Sequence, residues 1–311
     1  MTQVMPALQV ARVVTPLDGS DTAAEALPAA ESLAALFAAP LHLVRVVDPQ
    51  HLDTPLNALL QGDALALALA VEMERESARQ ALATTAAGLA QRADTPTVEV
   101  REGDAATEIL AAVQPGDLLV MSTHGRSGPA RWVLGSVAEA VIRRAAAPVW
   151  LVRAGGATPS QIQRLVVPLD GSARAEAALP AAAELATRLH LPVHLLTVLD
   201  ISPGTTLKLT TAALMAGHLE DEVMQLHLAA EHALADGLVR LPQGITTSTD
   251  VRVGRPAAAI REAVRPGDLV VMTSHGRSGM ARVFLGSVAE EVVRHAPGPV
   301  LLIRAELEAT A

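Results

Sequence analysis

The chain has 311 residues, 50% hydrophobic and 18% charged, with a net charge of −9; it can bury a sizeable core and lies far from disordered compositions. The absence of cysteine excludes disulfides, thiolate metal sites and thiol nucleophiles, and is compatible with a reducing cytoplasm, the expected location. Four aromatic residues without a tyrosine, together with the acidic balance, argue against nucleic-acid partners, which need stacking rings or basic surface.

In chain order, Met1 to Val10 has no basic residue ahead of an apolar stretch, so no secretory signal is expected. Short β-branched runs then alternate with Ala- and Leu-rich stretches. Strands are predicted at Ala11 to Pro16, Leu41 to Val47, Thr97 to Arg101, Asp117 to Ser122 and Pro148 to Val152, and helices at Asp21 to Ala38, Ala64 to Arg92, Ala105 to Val113 and Val137 to Ala145. The segment between Pro49 and Gly62 reads as a loop or lid. Mean hydropathy is +0.33, but the longest apolar runs reach only about half of the ~20 residues of a membrane span, so no membrane partner is expected.

The same order then repeats. Pro115 to Ala145 and Pro266 to Ala296 match at 22 of 31 positions, and Pro16-Leu-Asp-Gly-Ser20 recurs as Pro168-Leu-Asp-Gly-Ser172. Second-half strands follow at Arg164 to Pro168, Pro192 to Leu199, Ser248 to Val253, Asp268 to Thr273 and Pro299 to Arg304. Repetition of a whole unit sets the architecture more firmly than local propensity. Alternating strands and helices, with apolar runs that do not alternate, predict an α/β fold of two doubly wound, five-stranded, parallel-sheet (Rossmann-like) domains in tandem, residues 1–155 and 161–306, joined by a Gly/Pro/Ser-rich linker.

Ligands of such sheets sit beyond the carboxyl ends of the strands at the switch point. Two elements lie there. The first runs from Met121 and Ser122 through His124, Gly125, Arg126, Gly128 and Gly135 to Ser136, Val137 and Glu139, repeated as Met272, Thr273, His275, Gly276, Arg277, Gly279, Gly286, Ser287, Val288 and Glu290. A glycine loop leading into a helix N-terminus offers backbone N–H groups to a polyphosphate; alternatively, Ser136 and Glu139 form a capping box and the glycines a turn. The second is Asp18, repeated as Asp170, whose carboxylate can accept hydrogen bonds from ribose hydroxyls; alternatively, Asp18 or Ser20 caps the following helix.

With Val46 before Val47-Asp48-Pro49 and Val198 before Leu199-Asp200, these blocks resemble the universal stress protein family, twice over. The resemblance implies an ATP-binding branch with the motif Gly-x2-Gly-x9-Gly-(Ser/Thr). Gly125, Gly135 and Ser136, and Gly276, Gly286 and Ser287, would then hold phosphates. Asp18 and Asp170 would hold ribose and Val46 and Val198 adenine, while Pro16, Leu17, Met121 and the repeats Pro168, Leu169 and Met272 would line the base and sugar pocket. The implied ligand is ATP or another adenine nucleotide, with Mg²⁺ held mainly by the phosphates. The chain departs from the motif at its first glycine, where Ser122 and Thr273 stand; their side chains either crowd the pocket or add a hydrogen bond.

His124 and His275 read as structural or as site residues, and Arg126 and Arg277 as phosphate-reaching or solvated. His218, His227 and His232 do not share a helical face, which disfavours a metal site. Gly-x4-Gly-Lys-(Ser/Thr) is absent, and Lys208, the single lysine, is far from either glycine loop, which excludes P-loop chemistry. Binding is therefore expected rather than turnover. The alternatives are a scaffold of the same fold that no longer takes nucleotide, and a slow Mg²⁺-dependent ATPase. The apolar last strand of each half is a sheet edge that invites pairing, and the resemblance implies an internal pseudo-twofold pair of halves, with a homodimer beyond it.

Overall fold

The computed structural model describes residues 8–51, 64–90, 95–123, 134–153, 158–200, 219–274 and 285–304. The chain divides into two compact units, one spanning Gln9–Thr158 and the other running on from Pro159.

In the first unit the strands are β1 (Arg12–Pro16), β2 (Leu41–Val47), β3 (Thr97–Glu102), β4 (Asp117–Ser122) and β5 (Val149–Val152), in the order β3-β2-β1-β4-β5 and all parallel. In the second they are β6 (Arg164–Leu169), β7 (Val193–Asp200), β8 (Thr247–Gly254), β9 (Asp268–Thr273) and β10 (Val300–Ile303), in the order β8-β7-β6-β9-β10, again parallel. The order reverses between the first and fourth strands of each unit, which defines the switch point. Every residue of β4 and β9 is buried, which is why these runs are apolar without alternation. By contrast β3, TVEVRE, lies at an edge and alternates polar and apolar residues.

Helices cover the sheets: α1 (Asp21–Ala24), α2 (Leu27–Phe37), α3 (Ala64–Leu89), α4 (Ala105–Ala112) and α5 (Ser136–Arg144), then α6 (Ala173–Glu176), α7 (Leu179–Leu189), α8 (Leu219–Val239), α9 (Pro256–Ala263) and α10 (Ser287–His295). The stretch predicted as one helix from Asp21 to Ala38 is two. Pro28 and Pro180 stand in the first turn of α2 and α7, where a missing N–H costs nothing, and the break falls just ahead of them. Both helices end on a residue in the left-handed region, Ala38 and His190. Among the described residues no helix is long and apolar enough to cross a membrane.

Candidate functional site

The site is assembled at the carboxyl ends of β1 and β4, which pair directly with Val14 beside Leu119. Residues in register on parallel strands share a face, and side chains alternate along each strand. Val14, Pro16, Val44, Val46, Leu119 and Met121 therefore lie on one face, since Pro16 pairs with Val44. The second unit repeats this with Val166, Pro168, Leu196, Val198, Val270 and Met272. Of the pocket residues expected from the sequence, Pro16, Val46 and Met121 are thus gathered on one side, as are Pro168, Val198 and Met272.

Leu17 and Leu169 are placed differently. Leu17 follows β1 and ties down the strand end, its N–H donating to the Val44 carbonyl at 2.8 Å. Leu169 points to the opposite face, where its Cδ1 lies 2.8 Å from the place a Cβ on Gly237 of α8 would take. That side chain belongs to the core beneath the sheet. Ser122 and Thr273 alternate to the same opposite face, away from Met121 and Met272, and are buried; parity directs their side chains away from the surface that carries Pro16 and Val46.

Asp18 leaves β1 into a tight turn. Its Oδ1 accepts from the Ser20 N–H at 2.9 Å and the Ser20 hydroxyl at 2.6 Å; Asp170 does the same with Ser172 at 3.0 and 2.6 Å. Gly19 and Gly171 adopt φ of +85° and +76°, values that favour glycine. The cap of the following helix is the serine: Ser20 Oγ accepts from Ala23 N–H, and Ser172 Oγ from Ala175 N–H. Asp18 and Asp170 are not the caps; they shape the turn and carry a half-buried carboxylate to the rim of the sheet.

The loop after β4 returns to where it left. Gly135 N–H donates to the Thr123 carbonyl at 2.9 Å, and Gly286 N–H to that of Ser274 at 2.8 Å. His124, Gly125, Arg126 and Gly128, with His275, Gly276, Arg277 and Gly279, lie outside the described residues. The closure brings the start of α5 to the end of β4. Here the capping-box alternative gives way: the N-cap is Gly135, without a side-chain cap bond, so Ser136 and Val137 are the first helical residues and Glu139 is one position too far along to reach back. Glu139 instead pairs with Arg143. Gly286 caps α10 in the same manner, and Glu290 pairs with Arg294. First-turn amides have no acceptor within a helix, and the N-cap glycines have no side chain to supply one. Gly135 and Gly286 have φ of −62°, open to any residue, so their turn needs no left-handed freedom.

The arrangement therefore brings an apolar sheet face, a carboxylate and a helix N-terminus to the carboxyl ends of the first and fourth strands, once in each unit. Among the described residues no three or more His, Asp or Glu side chains gather to hold a metal. Reading the sequence did not single out Gly19, Gly171 or Arg45; the glycine between Asp18 and the capping serine was the available signal for the first two.

Comparison with known proteins shows the family of both halves. The profile of the Universal stress protein family matches residues 10–153 and again 161–304. A universal stress protein of Mycolicibacterium smegmatis is 29% identical over 303 residues, covering 93% of this chain and 96% of its own. One from Mycobacterium tuberculosis is 32% identical over 190 residues, covering 60% of this chain and 62% of its own, so this match spans less than two thirds of that relative. The crystal structure of a universal stress protein from Archaeoglobus fulgidus superposes with a TM-score of 0.64 at 21% identity, over 95% of this chain and 99% of its own, a likeness of fold.

Proposed function

Since the chain belongs to the universal stress protein family through both of its halves, we propose that each half holds an adenine nucleotide, ATP foremost, and that the protein is a nucleotide-holding stress-response module. One observation carries this reading: Pro16, Val46 and Met121 share a face beside the Asp18 turn, and the Thr123–Gly135 closure delivers an uncapped helix start to the same rim, with the whole set repeated in the second half. Adenine would lie on the apolar face, ribose hydroxyls would donate to Asp18 or Asp170, and the phosphates would meet the amides of Ser136 and Val137, or Ser287 and Val288. The helix N-terminus favours anions there. Magnesium would arrive with the phosphates.

Titration calorimetry with MgATP tests the reading. Saturable binding is expected in the intact chain. The variant Asp18→Asn with Asp170→Asn keeps an oxygen for the turn but removes the charged acceptor, and it should bind about tenfold or more weakly, the scale of a hydrogen bond to a charged group. No binding at millimolar ATP ends the proposal and leaves the scaffold reading. Holding without turnover is part of it: phosphate release that follows the protein through purification and disappears in the double variant would make the chain a slow ATPase instead. Cytoplasmic location, pairing of the halves through β5 and β10, and a homodimer also belong to the proposal. Sedimentation of the chain and of each half alone tests the last two.

A further inference from the structure

The turn that carries the carboxylate is braced differently in the two halves. In the first, the Arg45 guanidinium lies against Gly19: a Cβ there would sit 2.9 Å from Nη1 and 3.2 Å from Cζ. Arg45 immediately precedes Val46 on β2; its side chain is only 13% exposed, and its Nη2 donates to Glu74 Oε1 of α3 at 3.0 Å. In the second half, the residue preceding Val198 is Thr197, in register with Leu169. Thr197 is buried, and among the described residues its hydroxyl has no hydrogen-bond partner. Among the described residues the nearest atom to a Cβ on Gly171 is the Ala233 methyl at 3.7 Å. One turn lies against a guanidinium tied to a helix; among the described residues the other meets only a methyl group.

Resting on the nucleotide reading above, we propose that Arg45 is a positioning residue that makes the first half the tighter of the two sites. The planar guanidinium reaches the turn and Glu74 together, a geometry that an ammonium does not reproduce. A braced turn holds the Asp18 carboxylate ready for the ribose hydroxyls, so less ordering is left to be done on binding. Asp170 makes the same local bonds to Ser172, with Thr197 standing where the first half has Arg45.

The test uses the full chain with one site weakened at a time: Asp170→Asn reports the first half and Asp18→Asn the second. The first half should bind ATP at least roughly threefold more tightly, within the range of coupling between neighbouring groups. Arg45→Thr, which copies Thr197, should bring the first half to the level of the second, and Arg45→Lys should recover only part of the difference. The loss in Arg45→Thr should vanish with 2′,3′-dideoxy-ATP, which offers Asp18 no hydroxyls; a merely structural role would weaken both ligands alike. Equal affinities of the two halves, or an equal loss for both ligands, overturn this inference and leave the nucleotide reading standing. Absence of saturable binding in every chain overturns both.

Discussion

Arg12 and Asp117, register partners at the amino ends of β1 and β4, are joined by two hydrogen bonds, Nε to Oδ1 at 3.1 Å and Nη2 to Oδ2 at 2.7 Å. The same guanidinium donates to the Ala112 carbonyl, and Asp117 accepts from the Gln114 N–H. Arg164 and Asp268 repeat the arrangement. Each pair fastens the two central strands at the end opposite the candidate site. The hydrogen bond to Asp117 raises the Arg12 pKa against the opposing effect of burial.

Asp117→Ala should therefore cost stability without touching the ligand. The carboxylate side chain is only 2% exposed, and its removal strands a partly buried guanidinium and the Gln114 N–H. The expected loss is about 3 kcal/mol, the low end for breaking a buried pair because Arg12 retains some contact with water. Urea unfolding measures the loss, and the folded variant should keep whatever affinity for ATP the wild-type chain shows in the calorimetric test of the proposed function.

The fold was largely legible because the chain states it twice and because its strands carry the pattern of doubly covered sheets. The site was legible as motif residues, less so as geometry. That Ser20 rather than Asp18 caps α1, and that Gly135 rather than Ser136 caps α5, depends on one-residue offsets of helix starts that propensity does not resolve. The placement of Leu169 and Thr273 on the far face follows from strand parity, which needs the register. Arg45 was silent because its partner Glu74 lies on another element, 29 residues along the chain.

Thr15 should be replaceable by valine at no cost. It is fully buried in β1 and among the described residues its hydroxyl finds no partner, and the second half carries Val167 at the matching place, equally buried. Val fills the same shape and removes an unpaired polar atom whose burial costs on the order of 1 kcal/mol or more. Thr15→Val is expected to raise the urea midpoint, with Thr197→Val following suit; a drop in either would show that the hydroxyl serves the fold.

His194 gives the second half a dependence on acid. It is buried, with Nδ1 bonded to Ser248 Oγ at 2.9 Å. Burial lowers its pKa first; Arg164 and Arg252 act in the same direction, against Asp250 and Asp268. The unfolded chain protonates near pH 6.5, the folded chain only at lower pH. In that window unfolding takes up a proton, so this contribution to stability is present above about pH 6.5 and is lost as pH falls. Unfolding measured at pH 7.5 and 5.5 should show the decline, and His194→Gln should flatten it.

Alanine at the two turn glycines should separate backbone strain from contact. Gly19 and Gly171 have nearly the same left-handed φ, so each substitution pays about 1 to 2 kcal/mol for conformation alone. Their surroundings differ. At Gly19 the new methyl meets the Arg45 guanidinium at 2.9 Å, tighter than ordinary contact, whereas at Gly171 the nearest neighbour is Ala233 at 3.7 Å. Moving the Arg45 guanidinium aside disturbs its bond to Glu74, so Gly19→Ala should destabilise modestly more than Gly171→Ala. Combining Gly19→Ala with Arg45→Thr should bring the two positions to the same cost. Urea unfolding of these three variants and of Arg45→Thr alone as reference checks this, and equal losses for the two single glycine variants would show that the guanidinium swings clear of the turn without resistance.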